Sequence, residues 1–126
     1  IKPSYVGFIQ ANEWIRDHCE PEAVVLSRKP RLTWYFSHHK SLSYPYAGPD
    51  EIWEFINDNN IRYMVVDRFA KSTIYYLVPT ISKHVNQLDV LYKSKVEPPT
   101  YVVRVRAQPK KIVITDTLKI NSKSKK

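Results

Sequence analysis

Apolar positions along this chain change period several times, and each change marks an element. Phe8, Ala11, Ile15 and Cys19 recur at spacings of three, four and four. That is one face of a helix over residues 6–18, ended by Glu20-Pro21. The unbroken run 23–26 then stops at Ser27, Arg28, Lys29, Pro30 and Arg31, which predicts a first strand over 23–27. Pro30 opens a short helical turn through Leu32, Trp34, Tyr35 and Phe36. Ser41 to Tyr44 reads as a second short strand, stopped by Pro45. Pro49-Asp50-Glu51 starts a second helix with two acids in the favourable first turn. Ile52, Phe55 and Ile56 give its buried stripe, and Asp58-Asn59-Asn60 its stop.

The run 61–67, ending in Asp67-Arg68, is the most deeply apolar strand. Ser72-Thr73 then caps a third helix whose stripe is Ile74, Leu77, Val78, Ile81 and Val85, with Pro79 inside it as a kink or a restart. Beyond it the pattern alternates. Residues 88–93 and 101–106 predict an antiparallel pair joined by a proline-rich turn. Tyr101, Val103 and Val105 face inward, and Arg104 and Arg106 outward. Short apolar runs bounded by polar turns mark strands buried on both faces. The order of elements therefore predicts α/β, a three-layer sandwich with a mostly parallel sheet and an antiparallel edge hairpin. Residues 1–107 form the folded domain. Residues 108–126 are a basic tail, with a further strand-like run at 112–115 and disorder from 121 onward.

Composition narrows the chemistry. With two glycines, Gly7 and Gly48, the chain has neither a dinucleotide fingerprint nor a P-loop, since both need several glycines for close approach to phosphate. No cofactor is expected. The single Cys19 allows no internal disulfide, and no apolar stretch reaches the length of a membrane span. Nine tyrosines and three tryptophans read first as core filling, with a surface meeting something amphipathic as the alternative. Net charge is +8. The tail holds six lysines and one acid, Asp116, a combination that attracts anionic membrane surface or is simply a solvated end. The body has no dense basic face or motif for nucleic acid.

Candidate chemistry concentrates at one place. Ligands of open α/β sheets meet the loops at the carboxyl ends of the strands. There the chain brings Ser27, Arg28, Lys29, Arg31, Asp67 and Arg68. Converging guanidinium groups suit a phosphate, a diphosphate or an acidic partner surface. Against this, Asp67 pairing with Arg28 or Arg68 ties two loops together and nothing more. Other chemistry is poorly supplied. Ser27 lacks the G-x-S-x-G elbow, and Cys19 lies on a buried stripe. His18-Cys19, His38-His39 and His84 lack zinc-site spacing, so His38-His39 reads as a solvated loop and no metal is expected.

Three segments taken together resemble a known family. They are Ala11-Asn12-Glu13-Trp14-Ile15-Arg16 with the stretch from Pro21 to Arg31; Tyr63-Met64-Val65-Val66-Asp67; and the stretch from Pro98 to Val105. Their order is similar to that in the soluble extracytoplasmic domain C-terminal to the membrane helices of GT-C glycosyltransferases, of the protein mannosyltransferase and aminoarabinose transferase kind. The resemblance implies a polyprenyl-phosphate-sugar donor for the parent protein and a catalytic acid outside this chain. It implies an accessory role for this domain, capping the membrane cavity or helping to hold donor or acceptor. The partners implied are the parent's transmembrane part and a lipid-linked sugar phosphate. The alternative is a free-standing module that binds a phosphorylated small molecule at the same basic edge.

Overall fold

The backbone groups of the alternating apolar runs are satisfied in one five-stranded sheet. This computed structural model describes residues 3–68 and 70–106, with side chains from Tyr5 onward. Helix α1 spans Pro3–His18, strand β1 Val24–Leu26, α2 Pro30–Ser37, β2 Ser41–Leu42, α3 Pro49–Asp58 and β3 Ile61–Val66. A π-helical turn at Thr73–Leu77 runs into α4, Val78–Lys83. A single 3-10 turn at Val85–Gln87 leads to β4, Leu88–Lys93, and then β5, Tyr101–Val105. The strand order is β2-β1-β3-β5-β4. Strand β1 is parallel to β2 and β3, whereas β5 is antiparallel to β3 and β4. The sheet is therefore mixed rather than mostly parallel.

Side chains alternate across a strand, so β3 serves both faces of the sheet. Tyr63 and Val65 join Val25 and Val102 beneath Phe8, Ala11 and Ile15 of α1 and Cys19 just after it. Met64 and Val66 join Leu26, Val103 and Val105 against Ile52 and Ile56 of α3 and Leu77 of the π turn. This two-sided burial explains why β1 and β3 read as unbroken apolar runs. Strand β5 keeps its expected alternation, with Tyr101, Val103 and Val105 inward and Arg104 and Arg106 exposed, and adds one buried position on its second face. It lies between β3 and β4, so Val102 is fully buried under α1 while Val103 and Val105 are buried on the other side.

Local chemistry sets the helix ends. Pro30 and Pro49 sit in first turns, where a missing N–H costs nothing. His38 closes α2 in the left-handed conformation (φ 58°), donating its N–H to the Trp34 carbonyl at 2.9 Å. Asn60 does the same after α3 (φ 53°). The expected third helix is broken in two. Proline tolerates only a first turn, so α4 begins around Pro79 and the preceding turn widens to a π turn. Val85 consequently leaves the stripe and is exposed. The tail 108–126, including the strand expected at 112–115, lies outside the described residues.

Candidate functional site at the carboxyl ends of the parallel strands

Strands β1 and β3 are adjacent and parallel, with Val25 beside Tyr63 and Leu26 beside Met64. Their following loops therefore leave the sheet at one rim. Helix α2 packs beside α1 on one face, and α3 covers the other. The chain thus turns from β1 toward β2 on one side, and reaches β3 by crossing on the opposite side. The gap between β1 and β3 is the point where the strand order reverses, the usual ligand crevice of such folds.

In this protein the crevice is braced from within. Asp67 is 1% exposed, and a buried carboxylate needs partners to offset its desolvation. It has two. Arg28 donates Nε–H to Oδ2 at 3.0 Å, and Thr73 donates its hydroxyl to Oδ1 at 3.1 Å. Ser27 is fully buried as well. Its Oγ accepts from the Lys29 N–H at 3.1 Å and from the Thr33 hydroxyl at 2.7 Å. The two strand ends share one arrangement, in which a polar side chain just past the strand is bonded by a threonine six residues later. Thr73 was expected as a helix cap; its hydroxyl serves this brace instead.

The six residues singled out in the sequence thus divide. Ser27 and Asp67 face inward, and Arg28 spans the two loops with 17% of its side chain exposed. Lys29 is half-buried, whereas Arg31 and Arg68 are exposed. Arg28, Lys29, Pro30, Arg31 and Leu32 line an open depression of about 240 Å³. Chemically this rim supplies positive charge and donors. The partners of the Ser27 hydroxyl, a backbone N–H and a threonine hydroxyl, include no base that could activate it.

A second bracing set joins the rim to the loop after β2. The Tyr44 hydroxyl donates to Ser72 Oγ at 3.3 Å, and the Tyr46 ring stacks on Tyr76 at 4.7 Å between centroids. This linkage is not legible in the sequence, because no local pattern relates positions about thirty residues apart.

The opposite pole carries a larger groove, about 430 Å³, lined by Glu20, Arg62, Tyr63, Arg104, Val105 and Arg106. Two of its three arginines share one carboxylate. Arg106 and Arg104 both bind Asp89, at 2.7 and 3.0 Å, and hold that carboxylate down at about 2. Tyr63 donates its hydroxyl to Glu20 at 2.5 Å, which lowers the Glu20 pKa. Burial pushes the neighbouring Cys19 thiol up to about 11, so it stays protonated and unreactive. His39, expected in a solvated loop, is buried. Its ring sits between the carbonyl oxygens of Ser37 and Glu20, at 2.6 and 2.8 Å.

No protein-family model matches the chain, and no curated protein matches it. Among solved structures, it is similar to the C-terminal globular domain of an oligosaccharyltransferase from Archaeoglobus fulgidus. The TM-score is 0.51 at 13% identity, over 77% of this chain and 95% of that one. The two share a fold of mixed α/β type. Among the described residues, no helix is long and apolar enough to cross a membrane.

Proposed function

We propose that this chain is a non-catalytic accessory domain of an integral-membrane glycosyltransferase that uses a polyprenyl-phosphate-sugar donor. The observation that carries the reading is the shared fold with a globular domain of an oligosaccharyltransferase. The three sequence segments that resemble GT-C proteins of the mannosyltransferase and aminoarabinose transferase kind support it independently. On this reading the domain lies at the extracytoplasmic face. Its rim of Lys29, Arg31 and Arg68, braced by Arg28 and Asp67, meets the membrane-embedded part or the phosphate of the lipid-linked donor. Arginine is suited to that task because its planar fork binds phosphate oxygens in pairs.

The test is the gene itself together with an assay. The DNA upstream of Ile1 is expected to encode a run of apolar helices. The complete protein then transfers sugar from a polyprenyl-phosphate-sugar, while the isolated chain does not. An upstream region without apolar helices contradicts the reading. A second reading, a free-standing module for a phosphorylated small molecule, is favoured by the depression beside Arg31. It requires a phosphate-bearing ligand to raise the melting temperature, and requires Arg31→Ala to abolish that rise.

A further inference from the structure

One side of strand β4 has no neighbour. In the order β2-β1-β3-β5-β4 it is an edge and, among the described residues, pairs with β5 alone. An edge offers a row of backbone N–H and C=O groups to any strand within reach, and proteins blunt it with charge, proline, a bulge or shortness. The far edge is blunted, because β2 is two residues long and follows Lys40. Strand β4 is blunted only in its second half, where the register shifts between Val90 and Tyr92 and Lys93 follows. In residues 88–90 the one charge, Asp89, is turned to Arg104 and Arg106 of the same sheet. That half also carries apolar surface. Leu88 lies opposite Val105 and Val90 opposite Val103, so both stand on the face that α3 covers. Val103 and Val105 are buried there, but Val90 is 67% exposed. The core on that face stops short of Val90.

The chain itself brings a strand to this place. After β5 the Arg106 N–H is bonded to the Gln87 carbonyl at 2.9 Å, so the described residues end beside the start of β4. Five residues, 107–111, then lead to Ile112-Val113-Ile114-Thr115. All four of these are β-branched, the type that best fits a pleated strand. Pro109 keeps ladder pairing from beginning before them. From Arg106 to Ile112 an extended chain reaches about 20 Å. Passing from the line of β5 to the outer side of β4 takes two strand spacings, about 10 Å. A run that leaves that end of the sheet and lies alongside β4 points the same way as β4. Alternate residues share a face, so with Ile112 and Ile114 on the side of Val90 the exposed apolar surface is covered.

We infer that residues 112–115 dock on residues 88–90 as a sixth strand, parallel to β4, with Ile112 and Ile114 packed beside Val90. The inference goes beyond the accessory-domain reading and stands without it. Strand β4 runs in the direction of β3, toward the rim. A strand parallel to it returns the chain to that pole, where Lys119 and the lysines after it leave the sheet.

The experiment is amide hydrogen exchange, with through-space proton contacts, in the full 126-residue chain at a concentration where sedimentation shows a monomer. Amides within 112–115 are expected to exchange on the order of 100-fold more slowly than in an unstructured chain. Proton contacts are expected from that run to residues 88–90. Val90→Lys sets a charge on the open edge and is expected to abolish both the protection and the contacts. Ile112→Ser with Ile114→Ser does the same. Val90 is exposed and residues 112–115 follow the last strand of the folded sheet, so the amide shifts of α1, β1 and β3 stay those of the parent in both variants. Exchange of 112–115 at the unstructured rate in the parent overturns the inference. So do contacts from the run to another part of the chain, and so does protection that survives either variant. Protection that appears only at concentrations where sedimentation shows a dimer marks pairing with a second copy, and overturns it as well.

Discussion

Asp67 is the residue on which the rim depends. Its carboxylate is sealed from water and answered by Arg28 and Thr73. Removing one partner of a buried pair strands the other, which costs about 3–5 kcal/mol. Arg28 keeps some solvent contact, which places Asp67→Ala near the low end, at about 3 kcal/mol. A urea denaturation series reads this directly, and an unchanged midpoint contradicts the brace. Arg28→Ala is also destabilising, and the double variant loses less than the sum of the two, because the pair acts as a unit. The sequence placed Asp67 and Arg28 at neighbouring strand ends and offered their pairing as one of two outcomes. It left Thr33 unread and gave Thr73 a different role, that of a helix cap. Each sits six residues after its partner, across a loop whose path no local periodicity specifies.

At the scale of elements, the legible parts were those with a strong period or a fixed punctuation. The face of α1, the prolines opening α2 and α3, and the buried runs of β1 and β3 all follow from local pattern. The restart at Pro79 is one of the two outcomes the sequence offers. The alternation of Tyr101, Val103 and Val105 also holds, but the burial of Val102 is not legible, because it depends on α1 covering the second face of β5. Gly7 shows how such packing is enforced. A Cβ there meets Ser94 Oγ at 2.8 Å, Val96 Cγ2 at 3.2 Å and Thr100 Oγ1 at 3.3 Å. Ser94 Oγ is itself fixed, accepting the Thr100 N–H at 2.8 Å. Alanine gains about 1 kcal/mol in helix propensity, but overpacking against a held hydroxyl costs about 1–3 kcal/mol. Gly7→Ala is therefore expected to lower stability by about 1 kcal/mol. A rise in the denaturation midpoint contradicts a tight contact between α1 and the β4–β5 connection.

At the scale of the whole molecule, the two poles of the sheet differ in how their charge is used. At one, Arg104 and Arg106 of the groove are bound to Asp89 and the Glu20 carboxylate is bonded by Tyr63, so these contacts tie strands together. At the other, Asp67 absorbs Arg28 internally while Arg31, Arg68 and Lys71 stay on the surface. The fold supplies the reason for the difference. Parallel strands β1 and β3 direct their loops to the rim, and the reversal of strand order leaves a gap there that only side chains close. The accessory-domain proposal places the working face at this pole.

The most direct measurement is an amide chemical-shift titration of the full chain with a short, soluble prenyl phosphate. Perturbations centred on Arg28, Lys29, Arg31, Arg68 and Lys71 are the predicted result. Perturbations centred instead on Arg62, Arg104 and Arg106, or none at saturating ligand, contradict the assignment of the rim as the face that meets phosphate.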